Sequence, residues 1–376
     1  MKIPYICNIK INKMPKKLFV VSAIILLFFQ LTVSVKGQAT KYSNEFLSIG
    51  IGARALGMSN AVTSNIDDVT SGYWNPSGLV NITAHRQASL MHAEYFAGIA
   101  KYDYGALAAK IDSNSAAGLS VIRFAVDDIP NTTELIDNDG NVNYDKITSF
   151  SAVDFAMLFS YARKMPVNGL NIGANAKIIR RKVGSFAQAW GFGFDIGAQY
   201  KIDNWMLGAV IKDATTTYNA WSYSFDDRTK EILALTGNEV PQSSKEITLP
   251  KLIIGGGRSF TFFKKFSLLT ALDMDITTDG KRNVLIKTNP FSIDPHLGLE
   301  LNYNKVVFLR AGIGNIQNET NEAGKKIKSF QLNMGLGVNI SNFLTIDYAL
   351  TDIGNNSIAL YSNIFSLRLN INRKEN

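Results

Sequence analysis

The segment FQLNMGLGVNI (330–340) places an apolar residue at every even position and Gln, Asn or Gly at every odd one. The same period of two runs through WGFGFDIGAQY (190–200), HLGLELNY (296–303) and FSLRLNI (365–371). Successive side chains of a strand point to opposite faces, so each stretch has one apolar face and one small or polar face.

A water-soluble sandwich shows the same alternation, and three further features favour a membrane barrel. The alternating segments are about ten to fourteen residues long, whereas globular strands run about 5–6 and spanning strands about 9–11. The second face carries Gly, Asn, Asp and Ser, as a crowded or hydrated lumen requires. Aromatic residues gather near segment ends (Tyr95, Phe96, Tyr102, Trp205, Phe260, Phe262, Phe263, Tyr303, Phe343), where interfacial girdles sit. The expected strands are 87–97, 101–111, 115–126, 149–163, 168–182, 187–201, 204–213, 247–259, 264–276, 293–304, 305–314, 327–341, 343–351 and 358–371. They define an all-β, fourteen-stranded antiparallel transmembrane outer-membrane barrel. Tight turns fall at even connections and the long ones (127–148, 214–246, 277–292, 315–326) at odd connections, which makes the long loops extracellular.

Residues 1–37 read differently. Lysines precede the apolar run LFVVSAIILLFFQLTV (18–33), which ends in VKGQ (35–38): the pattern of a signal peptide cleaved before Gln38. The apolar core is shorter than the roughly 20 residues of a spanning helix. Removing the leader's six lysines lowers the formal charge from +8 to +2, so the basic balance gives no reason to expect nucleic acid. Cys7, the single cysteine, leaves with the leader, and with it any disulfide or thiol chemistry.

Between leader and first strand lies a small-residue segment, 38–86. It is too polar for lipid, and its expected place is inside the barrel as a plug, with 87–376 forming the barrel. Within it, SGYWNPSGL (71–79) sets Trp74, Asn75 and Pro76 in a row. Pro76 fixes a turn and restricts Asn75 to extended geometry. Trp74 offers buried area and an N–H donor. The combination of GARALGMSNA (52–61), with Arg54, Gly57 and Met58, the pair Asp67–Asp68, and YWNPSGL (73–79) resembles the PorV/PorQ family. Those are outer-membrane proteins of the type IX secretion system, similar in architecture to FadL hydrocarbon transporters. The resemblance implies a plugged barrel that binds the secretion-pore barrel or exported cargo proteins at the cell surface. Around Arg54 the chain departs from PorV itself, which carries an acidic residue before the arginine and glycine after the methionine.

Other candidates carry less. DNDGNVNYD (137–145) has Gly140 at the fourth position of a calcium loop rather than the sixth. GGGR (255–258) lacks a phosphate loop's context, and its glycines are expected to give the plug room. RRK (180–182) ends a strand on the outer side, where lipopolysaccharide phosphates lie. His85, His92 and His296 are too scattered for a metal site or a catalytic triad, so neither cofactor nor enzymatic activity is expected. Inward Asp103, Asp195, Asp273, Asp275, Glu300, Arg310 and Arg368 are expected to pair in the lumen or with Arg54.

Two function classes follow. The first is an interaction protein whose outer loop 214–246 offers Tyr218, Trp221, Tyr223 and Phe225 as aromatic anchors. The second is a FadL-like transporter of hydrophobic small molecules, which requires an apolar pocket along the lumen.

Overall fold

Each alternating stretch forms a strand, and consecutive wall strands pair antiparallel. The computed structural model describes residues 43–136, 140–241, 243–320, 324–353 and 361–372, so the expected leader, with Cys7 and the cleavage position, lies outside the described residues. The first half contains β1 (Arg86–Tyr95), β2 (Ala100–Lys110), β3 (Ser115–Asn131), β4 (Thr148–Lys164), β5 (Leu170–Val183), β6 (Ala187–Ile202) and β7 (Trp205–Lys212). The second half contains β8 (Thr217–Tyr223), β9 (Ser244–Thr248), β10 (Lys251–Phe262), β11 (Phe266–Thr277), β12 (Ile286–Lys287), β13 (Ser292–Tyr303), β14 (Val307–Thr320), β15 (Lys326–Ile340), β16 (Leu344–Ile353) and β17 (Ser362–Ile371). β8, β9 and β12 are short additions at the long-connection end. The other fourteen make a closed wall. Its seam pairs β1 with β17 from Arg86↔Ile371 to Glu94↔Asn363, while the other edge of β1 pairs with β2.

The burial of this wall is inverted. On β6 the apolar residues Trp190, Phe192, Phe194 and Ile196 are more than half exposed, whereas Asp195 between them is 3% exposed. Asn175, Lys177, Gln199, Glu300, Arg310 and Asp347 are likewise buried on other strands or positions of the same inward face. In water this would leave a belt of large apolar side chains unsheltered. In a bilayer it is the favourable arrangement, because lipid solvates the outer face and closure satisfies the backbone.

Several expectations change. Connection 214–246 is mostly ordered structure: β8, a helix at Asp227–Leu235, and the start of β9. Connections 127–148 and 315–326 are shorter than expected, because β3 runs on past a bulge at 126–129 and β14 continues to Thr320. These extensions, DDIPN (127–131) and NIQNET (315–320), are mostly Asp, Asn, Gln, Glu and Thr, so no apolar alternation reveals them. Tyr95 and Tyr102 face inward rather than joining a girdle, and Tyr102 is fully buried. Phe96, Trp205, Phe260, Phe262, Phe263, Tyr303 and Phe343 are exposed near strand ends.

A charge placed mid-wall on the lipid side tests the inversion. Phe194→Arg is expected to destabilise the barrel by about 2–4 kcal/mol in reversible unfolding from lipid bilayers, the cost of Arg at midplane depth.

Candidate functional site: the luminal segment and its cavity

Residues 43–84 lie inside the ring of strands. At the long-connection end, Ser43 Oγ donates to Glu246 (3.0 Å), and Asn219 donates to both Ser43 and Asn44 (2.9 Å each). At the short-turn end, Asn81 donates to Gln199 and accepts from Asn171. The segment therefore runs the height of the lumen and passes directly into β1.

The Trp-Asn-Pro turn is its structural hinge. A short helix, Ser71–Trp74, ends at Asn75, whose extended backbone (φ −153°, ψ 104°) is what the following proline requires. Asn75 then caps the 3₁₀ helix Pro76–Asn81, its Oδ1 accepting from Ser77 Oγ (2.7 Å) and Ser77 N (3.3 Å). Its amide nitrogen donates to the carbonyls of Thr63 (2.9 Å) and Ala198 (3.1 Å), joining segment to wall. Trp74 is buried, donates Nε1–H to the Ile51 carbonyl (3.0 Å) and packs edge-on against Tyr73.

Arg54 projects from the helix Ala53–Gly57 to the wall. Its Nε donates to Glu300 (3.0 Å), and its terminal nitrogens reach Asp67 and Asn65 (3.4 Å each). Glu300 also accepts from Arg310 (2.7 Å), which in turn donates to Asp347 (2.7 Å). Asp68 accepts from Arg368 and from Thr70 N and Oγ1. Burial pushes the Asp68 carboxyl up, but Arg368, Arg54 and the Thr70 hydrogen bonds hold it below the usual carboxylate range. A depressed folded-state pKa means that its stabilisation is present above the ordinary value of about 3.9 and is lost as pH falls through the folded value.

Small inward residues are where the segment touches the wall. A Cβ on Gly57 would lie 3.0 Å from Gly335 Cα, and a Cβ on Gly173 would lie 2.5 Å from backbone atoms of Pro76 and Ser77. Met58, fully buried, sits against Gly298 and Gly312. The glycines at 255 and 257 face Thr63 and Ser64 of the segment, whereas Gly256 points outward.

Above the segment, toward the long connections, a cavity of about 580 Å³ remains. Leu56, Tyr73, Trp74, Tyr95, Ile253 and Lys212 line it, along with polar groups such as Asp275, Asp294 and His296. It is thus amphipathic rather than the continuous apolar pocket expected of a hydrocarbon path.

The inward charges pair as expected with two exceptions. Asp195 takes Lys177 (2.8 Å) and Asp275 takes Lys251 (2.8 Å). Asp103 is a correction: it faces outward, bonded to His92 (2.7 Å) and Arg123 (3.0 Å) on the lipid side, because it shares a strand face with Lys101 and Gly105. Among the described residues Asp273 forms no salt bridge with Lys or Arg; its Oδ2 accepts from Thr63 N (2.8 Å). Of the basic triplet 180–182, Arg180 lies over Trp190 and Arg181 turns inward to Asp154 and Glu246.

The four aromatics expected on an outer loop do not form one surface. Tyr218, Trp221 and Tyr223 are on β8, so alternation sends Tyr218 outward and Trp221 into the interior. Trp221, Tyr223, Phe225 and Phe186 form a row of near-parallel rings with centroids 5.8–6.2 Å apart. Arg181 covers Trp221. Of the loop 137–145, residues 137–139 lie outside the described residues. Among the described residues no cluster of three metal-ligating side chains occurs.

No protein-family model and no curated protein matches the sequence. Solved structures do. The monoaromatic hydrocarbon channel CymD is similar over 87% of this chain and 99% of its own, with a TM-score of 0.54 at 12% identity. The Pseudomonas putida toluene transporter TodX matches over 86% and 98% (TM-score 0.56, 12% identity). The Ralstonia pickettii toluene transporter TbuX matches over 86% and 98% (TM-score 0.51, 13% identity). The chain is a β-barrel of the outer-membrane class. More narrowly, it has the FadL-like barrel fold that these channels share.

Two substitutions test the attachment of the segment. Glu300→Ala leaves Arg54 and Arg310 buried without their shared carboxylate and is expected to cost about 3–5 kcal/mol. Gly173→Ala forces Pro76 and Ser77 away from β5, at about 1–3 kcal/mol. Both should raise protease cutting within 43–84, while Gly256→Ala, whose Cβ meets nothing nearer than 4.0 Å, should not.

Proposed function

We propose that this protein is an outer-membrane channel for small, partly apolar molecules, held shut at rest by the segment 43–84. The carrying observation is the cavity of about 580 Å³, which lies within the usual range for small-molecule sites and has an aromatic floor of Tyr73 and Trp74. Likeness in fold to hydrocarbon channels supports the reading. The polar groups in the cavity distinguish its ligand from a plain hydrocarbon. In this proposal the long connections are extracellular and the cavity faces the outside.

A second reading, a component of type IX secretion that binds the pore barrel or exported cargo, is favoured by one specific feature. Ile136, Val142, Tyr144 and Leu235 are exposed at the long-connection end, beyond the wall, where lipid does not shelter them. The helix Asp227–Leu235 has no buried residue and presents Leu235 to the outside. Outer-membrane lipid and lipopolysaccharide would then contact the outward Arg180 and Lys182.

Planar-bilayer recordings separate open from closed. The intact barrel is expected to conduct little and a variant lacking residues 45–80 to conduct steadily; a deletion variant that stays closed would remove the segment from the gate. For the second reading, Tyr144→Ala with Leu235→Ala should abolish co-purification of a large barrel or exported proteins without changing barrel assembly.

A further inference from the structure

The cavity holds a cation that meets no carboxylate. Lys212, the last residue of β7, has no carboxylate oxygen within 4.0 Å among the described residues. The lysines near it are engaged: Lys177 with Asp195 (2.8 Å) and Asp213 (2.5 Å), and Lys251 with Asp275 (2.8 Å). The Lys212 ammonium instead lies over the faces of Tyr73 (4.1 Å) and Trp74 (5.3 Å). Ring faces compensate a partly buried ammonium only in part, and they leave its other side toward the cavity.

The acids that share the cavity are mostly taken. Asp275 is bonded to Lys251, Asp294 lies 3.6 Å from His296, and Glu45 lies 3.9 Å from Arg282. Asp352 accepts from Thr351 Oγ1 and adds negative charge to the same cavity, which weighs against a doubly charged anion. What remains is one uncommitted positive charge beside two aromatic rings and the aliphatic Leu56 and Ile253.

We infer that Lys212 anchors a compact aromatic monoanion, a carboxylic acid of the benzoate or phenylacetate type. The carboxylate takes the ammonium, and the ligand's ring packs against the aromatic and aliphatic wall. This assignment rests on the small-molecule reading above and names its substrate class. It differs from a hydrocarbon path in requiring charge: toluene would fill the apolar part and leave Lys212 uncompensated.

Isothermal titration of the purified full-length barrel with benzoate, toluene and benzylamine tests the inference. Benzoate is expected to bind at least roughly tenfold more tightly than toluene, about 1.4 kcal/mol, and benzylamine most weakly. Lys212→Gln should remove that preference while keeping toluene binding, and Lys212→Arg should restore benzoate binding. Heat-modifiable gel mobility reports whether each variant still folds, and the wild-type comparison stands without the variants. Equal binding of benzoate and toluene overturns the anion site and leaves the channel reading in place. Failure of all three ligands to bind overturns both.

Discussion

The pairing of β1 with β17 is the constraint on which everything else depends. Inside a bilayer no water is available to an open sheet edge, so a wall of strands survives only as a closed ring. Closure in turn creates an interior, and the even alternation of side chains fills it with whatever occupies the second face of every strand. Here that face carries glycines, amides and charges. Left empty, it would leave Arg368 without its carboxylate and several inward amides without partners. The segment 43–84 supplies further partners: Arg54 beside Arg310 for Glu300, Asp68 for Arg368, and backbone N–H and C=O groups for Asp273 and Gln199.

The same exchange explains why one segment can be polar and yet mostly buried. Its short helices leave many backbone groups without internal partners, and the wall's side chains reach them. Asn175 donates to the Gly72 carbonyl (2.7 Å), and Gln199 donates to the Ile66 carbonyl (2.9 Å). Glycine on the wall then allows backbone to approach backbone, as at Gly57 and Gly335. Charge, amide and glycine thus play three complementary parts at one surface, and removing any of them leaves the other two misplaced.

Much of this was legible in the sequence for a simple reason. A wall strand must alternate for its whole transit through lipid, so all fourteen wall strands announced themselves, and Pro76 dictated the conformation of Asn75. Legibility stopped where lipid stops. Beyond the membrane the ladders β3–β4 and β14–β15 continue on polar residues with no apolar period, and β8 reads as a loop because only part of it alternates. The tyrosine at 218 and the tryptophan at 221 looked like companions in a loop but stand on opposite faces of a strand. Lys212 was invisible for a different reason. Whether a lysine is paired depends on where every neighbouring carboxylate is committed, and that is a property of the closed ring rather than of any stretch of sequence.

The direction in which the segment runs also bears on how the molecule is made. Residues 43 and 44 sit at the far end of the bore from the point where the chain enters β1. Drawing forty residues through a finished bore, past glycine contacts with no slack, would require the wall to spread against its own hydrogen bonds. Wrapping the wall around the segment requires nothing of the kind, because the seam joins the first wall strand to the last and closes only when both are in place. The segment is then a former around which the wall closes.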